Sequence, residues 1–258
     1  MDNDHETGNK VEVMKRLKEK ILHRVHLWKY KPIRVFVFHA VSDEFNPMYG
    51  WKGDWTQLDT FKRKILGYKR KYTFISLSEA LTHLKTDTFR LHKYAVLTSD
   101  DGLKSLENVL PWLKEERIPI TLFLSAKYFD GESYYKGYDP YWEKQGKPIP
   151  AVRANELYLS KKQVWDLKNP FVEIAIHGWE HATIQDMPLE EFEQQTKKAE
   201  EVLSNHPRYV PFYAYTYGKY TKSSVEYLKN KQLVPVLCDG QINVKFDGFI
   251  HRECIDGE

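Results

Sequence analysis

Short apolar segments rich in β-branched and aromatic residues alternate along this chain with longer amphipathic segments. The apolar segments predict strands at 33–38, 74–77, 94–97, 119–123, 171–176, 209–213 and 233–237. Helices are predicted between them, at 57–72, 78–84, 103–116, 160–167, 189–204 and 223–229. This alternation is typical of parallel β/α units, and about seven strands favour closure into a barrel. No glycine-rich phosphate fingerprint follows any of these strands, so a dinucleotide-binding fold has no support.

The size and charge of the chain narrow its class further. A length of 258 residues suits one α/β barrel that needs no disulfide or metal staple. The formal charge of +3, from 39 basic and 36 acidic residues, is too balanced to predict nucleic-acid binding. No apolar run reaches the ~18 residues of a membrane span, and the polar N-terminus lacks the features of a secretory signal. We therefore expect a cytoplasmic protein. The two cysteines, Cys238 and Cys254, form neither a disulfide framework nor a zinc-binding CxxC motif.

Residues 1–31 are predicted to form an N-terminal segment ahead of a domain at 32–258. After a polar tail, apolar residues recur at spacings of three and four and predict a helix at 10–29: Met14, Leu17, Ile21, Val25 and Trp28. Between residues 10 and 31, eight lysines and arginines oppose two glutamates. Two interpretations stay open for this segment. The helix packs on the domain with a solvated basic face, or it contacts anionic lipid at the inner membrane surface.

Residues 127–158 break the strand–helix rhythm and are rich in aromatic side chains. A loop of this length inside a compact domain is usually functional. Its rings are expected either to stack on sugar rings or to cap one end of the barrel. They are Tyr128, Phe129, Tyr134, Tyr135, Tyr138, Tyr141 and Trp142.

Two polar motifs follow predicted strands, at the edge where parallel α/β folds place their active sites. Thr98-Ser99-Asp100-Asp101-Gly102 follows the strand at 94–97, and His177-Gly178-Trp179-Glu180-His181 follows the strand at 171–176. Alone, the first motif is a turn signal, and the two histidines converge only if their segment turns helically. Together, two histidines and one carboxylate suit Zn²⁺ or another first-row divalent ion. The second carboxylate would accept a proton from metal-activated water.

These motifs, in this order, resemble those of the polysaccharide deacetylase family, also called carbohydrate esterase family 4 or the NodB homology domain. Residues 98–102 match the family's T-F-D-D-G, and residues 177–181 match its H-S/T-x-x-H. Residues 213–220 resemble the F-A-Y-P-Y-G third motif of one branch. Phe38-His39-Ala40-Val41 resembles the Y-H-x-V strand of the branch that acts on poly-N-acetylglucosamine. The resemblance spans about 33–252 and implies an α/β fold, a distorted (β/α)₇ barrel of the NodB type.

The resemblance also implies roles for individual residues. Asp101, His177 and His181 would bind one divalent metal ion. Zn²⁺ is the first choice by ligand type, and Co²⁺, Ni²⁺ and Fe²⁺ are compatible. Asp100 would be the general base, and the backbone N–H of Tyr217 would hold the oxyanion.

Other implied roles concern the proton donor and the substrate. His251 is the candidate for the family's late general acid, with His39 as a second candidate for that proton. His39, Trp179 and Tyr215 are expected to contact the substrate.

The chain departs from the family pattern at several positions. Ser99 replaces Phe, Gly178 replaces Ser or Thr, and Thr216 replaces Pro. Ala214 stands where many members carry an arginine that holds the base, and no tryptophan follows Trp179 for the fourth motif.

The sequence therefore predicts a metal-dependent hydrolase that removes N-acetyl groups from an amino-sugar glycan or glycan precursor. The expected partner is an N-acetylated amino sugar or oligosaccharide, and the sequence predicts no oligomeric state. Two alternatives remain, because motifs describe the reacting centre rather than the substrate. One is an inactive carbohydrate-binding module on the same fold, and the other is an amide hydrolase for a non-acetyl or non-sugar substrate.

Overall fold

The computed structural model describes residues 31–49, 52–86, 92–136, 144–148 and 150–257, together with the single residues 18 and 142. The predicted helix at 10–29 lies outside the described residues apart from Lys18, as do Tyr138 and Tyr141. Among the described residues, no helix has the length and apolar character required to cross a bilayer. The strands of this part are β1 Arg34–Phe38, β2 Ala40–Ser42, β3 Trp55–Gln57, β4 Thr73–Phe74, β5 Tyr94–Ser99, β6 Ile120–Leu124, β7 Tyr134–Lys136, β8 Ala151–Arg153, β9 Val172–Ile176, β10 Tyr209–Ala214, β11 Val234–Cys238 and β12 Ile250–Cys254.

Seven of these strands run parallel and close into a barrel, as the sequence predicts. The order around the ring is β1, β12, β11, β10, β9, β6 and β5, and β5 pairs again with β1. Two small sheets, β2–β3 and β7–β8, lie outside the ring.

The seventh barrel strand is a different segment from the one predicted. The predicted strand at 74–77 shrinks to β4, which pairs only with the start of β5 outside the ring. The ring is completed by β12, which pairs with β1 on one side and β11 on the other. Its sequence, Ile-His-Arg-Glu-Cys, carries three polar or charged side chains and lacks the apolar character of a buried strand.

The helices of the described chain cover the outside of the barrel. Apart from α4, which the sequence did not predict, they follow the predicted pattern with shifted ends. They are α1 Leu58–Lys69, α2 Leu77–Lys85, α3 Leu110–Glu115, α4 Ala154–Leu157, α5 Lys161–Trp165, α6 Leu189–Leu203 and α7 Lys222–Asn230. The segment predicted as one helix at 103–116 divides into a 3₁₀ turn, Lys104–Asn108, and α3. The division places Pro111 in the first turn of α3, where its missing N–H costs little, rather than inside a long helix.

Alternation along the strands separates the barrel interior from the layer beneath the helices. The interior is filled by Val35, Val96, Phe123, Ala175, Phe212, Ala214, Val236 and Ile250, among others. The larger apolar cluster joins the other strand faces to α1, α3 and α6 through residues such as Phe36, Leu97, Phe61, Leu113 and Phe192. Interior positions at the C-terminal ends of the strands are polar: Thr98 and Asp100 follow Val96, and Arg252 follows Ile250. The fold therefore gathers polar groups at one end of an apolar barrel.

Candidate active site and metal centre

A cavity of about 320 Å³ opens at the C-terminal end of the barrel. It is lined by His39, Met48, Tyr49, Asp54, Asp100, Asp101, Leu103, Tyr158, His177, His181, Tyr215, Tyr217, Gly218, Cys238 and Cys254. Most of the residues that the sequence singled out thus meet in one place, because the strands that precede them are neighbours in a parallel barrel.

Three of the lining side chains converge on one point. His177 Nε2 lies 3.2 Å from Asp101 Oδ1, and His181 Nε2 lies 3.0 Å from the same oxygen. The convergence does not use the helical turn that the i, i+4 spacing suggested. The chain instead reverses through left-handed backbone at Gly178 (φ 74°) and His181 (φ 58°).

The hydrogen bonding of this trio fits a bound cation. His177 Nδ1 lies 3.0 Å from the carbonyl oxygen of Ala214 and donates to it, so Nε2 of the neutral ring carries a lone pair. That lone pair faces Asp101 Oδ1, a buried oxygen that accepts no hydrogen bond from any described residue. Two acceptors in contact repel each other unless a cation lies between them. Two imidazole nitrogens and a carboxylate oxygen are ligands suited to Zn²⁺ and related divalent ions.

Three of the five non-glycine residues with positive φ in the described chain lie at this site. Asp101 (φ 71°), His181 and Tyr217 (φ 54°) adopt left-handed backbone, which side chains with a Cβ rarely do. Gly102, next to Asp101, also has positive φ, and a Cβ there would lie 2.6 Å from Leu124 Cδ2. Strained residues of this kind cluster at active sites, where the surrounding structure holds them.

Asp100 is buried and is held by an arginine that the motif analysis missed. Arg252 donates through Nη1 to Oδ1 at 2.6 Å and through Nη2 to Oδ2 at 2.8 Å. Burial alone would raise the pKa of Asp100, but the Arg252 guanidinium lowers it below the ordinary value. Arg252 is fully buried in the barrel, with its guanidinium 5.0 Å from the centre of the Phe123 ring. Asp100 is therefore held as an ionised, oriented carboxylate beside the trio of Asp101, His177 and His181.

His39 is held by a second missed residue, Asp256. The backbone N–H of His39 donates to Asp256 Oδ1 at 3.1 Å, and His39 Nδ1 lies 2.6 Å from Asp256 Oδ2. Burial alone would lower the pKa of His39, but the carboxylate of Asp256 raises it well above the ordinary value. Because Nδ1 is bound to Asp256, Nε2 is the ring nitrogen left for other partners in the cavity.

The remaining predicted site residues occupy different positions. Tyr217 lies at the cavity with 54% of its surface exposed, and its ring packs edge-on against His181 at 4.8 Å. Tyr215 borders the cavity, but its side chain is buried and its hydroxyl pairs with Ser224 Oγ at 3.2 Å. Trp179 does not line the cavity and packs against the apolar core, while its carbonyl accepts from Lys127 N.

His251 also lies outside the cavity lining. Along β12 it alternates with Arg252, so it faces away from the barrel interior. Its Nδ1 lies 2.8 Å from Asp239 Oδ2, and its Nε2 lies 3.1 Å from Asp247 Oδ2. Both ring nitrogens are thus engaged by carboxylates, and neither faces a substrate in the cavity.

The segment at 127–158, which the sequence predicts as a loop, contains β7, β8 and α4, and some of its described rings are buried while Tyr134 is exposed. Tyr128 and Phe129 are buried, and Trp142 packs against the cluster that contains Tyr128 and Leu157. Tyr158 lines the cavity and stacks on Tyr128 with ring centres 4.3 Å apart. For these described rings, the capping alternative accounts for their burial.

Comparison with known proteins agrees with this geometry. The family model described as polysaccharide deacetylase matches residues 90–236, more than half of the chain. A search of curated proteins gives no match.

Solved structures share the fold at low sequence identity. IcaB from Ammonifex degensii superposes with a TM-score of 0.68 at 16% identity, over 87% of this chain and 91% of that one. The Streptococcus pyogenes deacetylase PplD, solved in complex with acetate, gives a TM-score of 0.63 at 16% identity, over 87% and 92%. The BpsB deacetylase domain from Bordetella bronchiseptica gives 0.64 at 15% identity, over 87% and 96%. With its motifs assembled at the end of a seven-stranded barrel, the chain belongs to the polysaccharide deacetylase family.

Proposed function

We propose that the protein is a metal-dependent N-deacetylase of an amino-sugar glycan or oligosaccharide. The observation that carries this proposal is the pairing of two adjacent aspartates with two different partners. Asp101 contacts the two histidines, whereas Asp100 forms an ion pair with Arg252. One carboxylate is thus available to hold a metal ion and the other to accept a proton.

Asp101, His177 and His181 would hold the metal ion, which when bound lowers the pKa of water and polarises a carbonyl group. Asp100 accepts the proton of the attacking water, and a bond forms between the water oxygen and the acetamide carbon. Arg252 keeps Asp100 ionised before attack and fixes the direction of its carboxylate. The Tyr217 backbone N–H is the donor we assign to the oxyanion of the tetrahedral intermediate.

His39 is the residue we assign to the leaving group. It lines the cavity, and Asp256 holds its ring through Nδ1. The C–N bond breaks as the amine nitrogen takes a proton from His39 Nε2, and acetate and a free amino sugar result. This assignment prefers His39 to His251 because His251 lies outside the cavity lining with both nitrogens engaged.

The cavity walls support a sugar-sized substrate. A volume of about 320 Å³ lies at the small end of the usual ligand-site range of roughly 300–1,000 Å³. The cavity lining combines Met48, Tyr49, Leu103 and Tyr158 with the charged groups. Apolar and aromatic walls beside polar groups suit the C–H faces and the acetamide of an N-acetylated hexosamine.

The test is acetate release from N-acetylglucosamine oligosaccharides, comparing the zinc-supplied wild type with Asp100→Asn. We expect release by the wild type and a loss of at least about 100-fold in the variant, because a general base contributes ~10²–10⁴-fold. Oligosaccharide binding without acetate release by the wild type would favour the binding-module alternative. Release of a different acyl group would retain the chemistry and change the substrate.

A further inference from the structure

A second group of metal-ligating atoms lies beside the proposed catalytic centre. It comprises His39 Nδ1, Cys254 Sγ and an Asp256 oxygen, all within 4.8 Å of one another. β1 and β12 are neighbours in register Val37 to Cys254, which brings His39, just after β1, next to the end of β12. In the proposed reaction His39 is the proton donor and Asp256 holds its ring, whereas Cys254 has no part.

The donor set is that of a thiophilic metal. Imidazole nitrogen, thiolate sulfur and carboxylate oxygen are the three ligand types that Zn²⁺ uses, at ~2.0–2.3 Å from the ion. A tetrahedral ion with such bonds places its ligand atoms roughly 3.3–3.8 Å apart. Cys254 Sγ already lies 3.3 Å from Asp256 Oδ2, whereas the 2.6 Å contact between His39 and Asp256 must widen, and all three ligand atoms lie within 4.8 Å of one another.

The site is reachable from solvent and from the cavity. Cys254 is an exposed free thiol that lines the cavity, whereas the Asp256 side chain is fully buried. An ion can therefore enter on the sulfur side and meet a carboxylate that is already positioned.

We propose that His39, Cys254 and Asp256 form a second, inhibitory site for Zn²⁺ or a similarly thiophilic divalent ion. On binding, the Cys254 thiol loses its proton to solvent, and the His39 ring gives up the proton on Nδ1 that it shares with Asp256. A ring bonded to a metal through Nδ1 is no longer an imidazolium and is a poor proton donor. Inhibition rests on the proposed function, whereas metal binding does not.

Disulfide formation is not an alternative use of Cys254. Cys238 pairs with Arg252 across β11 and β12, and Cys254 lies two residues further along β12. With strands ~4.8 Å apart and ~3.3 Å per residue, the two Cα atoms are about 8 Å apart. This exceeds the ~7 Å limit for a disulfide without backbone movement. Cys238 lines the same cavity outside the cluster, so it provides the matched control.

The first test measures binding without activity, by titrating the apoprotein with Co²⁺ and following the near-ultraviolet sulfur-to-cobalt charge-transfer band. We expect the band in the wild type, Cys238→Ser and His177→Ala, and its loss in Cys254→Ser. Both cysteines are exposed, so the serine variants should fold, and circular dichroism checks this. The proposal is overturned if the wild type shows no band or if the band persists in Cys254→Ser.

The second test measures acetate release against Zn²⁺ concentration, with each protein scaled to its own maximum. In the wild type and Cys238→Ser, the rate should rise with the first equivalent and fall with excess. In Cys254→Ser, the inhibitory concentration should increase by about 10-fold or more, because a ligand is lost. Equal inhibition of all three proteins would refute the inhibitory role. Absence of acetate release from every protein would instead count against the proposed function, and the cobalt band would still decide the site.

Discussion

Arg252 on β12 donates to both carboxylate oxygens of Asp100 at the end of β5, although 152 positions of sequence separate the two residues and β1 lies between their strands. Many relatives are expected to place an arginine at the position of Ala214 for this purpose, and here β12 supplies one instead. A buried guanidinium with a bidentate carboxylate fixes geometry as well as charge.

The first prediction concerns Arg252→Met. Removing one partner of a buried ion pair leaves the other charge uncompensated, which costs about 3–5 kcal/mol. We therefore expect a decrease of that size in the free energy of unfolding by urea, together with a large decrease in kcat. Arg252→Lys keeps the charge but loses the bidentate geometry and should be intermediate. Arg63→Met, on the exposed face of α1, is the control and should match the wild type. Wild-type kcat in folded Arg252→Met would show that Asp100 needs no partner.

The second prediction concerns metal content. In a Cys254→Ser background, which removes the sulfur ligand of the second cluster, we expect about one equivalent of bound zinc, since one ligand trio makes one site. Adding His177→Ala should abolish zinc binding, because the site then keeps only Asp101 and His181 and loses its buried third ligand. Elemental analysis after gel filtration measures both proteins, with His83→Ala on the surface of α2 as the control. Retained zinc in the His177→Ala protein would place the metal elsewhere.

The site residues that could be predicted from the sequence are those that stand at the ends of predicted strands. Asp100, Asp101 and His177 could be predicted, because each stands directly after an apolar segment and parallel strands bring such positions together. The path to His181 could not, since left-handed backbone at Gly178 and His181 replaces the helical turn that the spacing suggested.

The supporting residues could not be predicted because β12 does not resemble a strand. Arg252 carries the charge that stabilises Asp100. Because this charged residue lies in the middle of β12, the sequence pattern of β12 is that of a polar loop. Asp256 follows the same strand and was missed with it. Ile250 and Cys254 lie on one face of this strand, but Arg252 stands between them where a period of two would place an apolar residue, so the sequence carries no strand signal.

The third prediction tests His39 as the proton donor. In His39→Gln, acetate release from an N-acetyl hexosamine should fall by about 10²–10⁴-fold, the usual contribution of a general acid. An activated anilide, whose leaving amine needs little protonation, should lose far less. Asp100→Asn, which removes the base, should impair both substrates alike. Equal losses for both substrates in His39→Gln would assign the proton to another group.

The fourth prediction concerns Gly102→Ala. Alanine at this position would have to adopt left-handed backbone (φ 80°). Its Cβ would lie 2.6 Å from Leu124 Cδ2, so the leucine side chain would have to move. We expect overpacking to lower the free energy of unfolding by about 1–3 kcal/mol. Backbone strain should lower it further. Gly240→Ala has similar positive φ (74°) but meets nothing within 4 Å, so it measures the strain alone. Equal losses in the two variants would mean that the Leu124 contact relaxes freely.

The last prediction separates a structural role for His251 from a catalytic one. Burial lowers the pKa of His251, but Asp239 and Asp247 outweigh this and raise it above the ordinary value. The folded state therefore binds the proton more tightly than the unfolded state. The resulting stability is fully present below the unfolded pKa, about 6.5, and is lost as pH rises through the folded pKa.

His251→Gln should consequently be less stable than the wild type by about 1 kcal/mol or more at acidic pH, where the charged hydrogen bonds exist. The difference should shrink at alkaline pH, and urea unfolding across this range measures it. If His251 were the general acid instead, folded His251→Gln would lose acetate release by ~10²-fold or more, with a smaller loss for the activated anilide. A stability difference that grows with pH would contradict the ion pairs themselves, because neutral histidine then would be the form that the fold prefers.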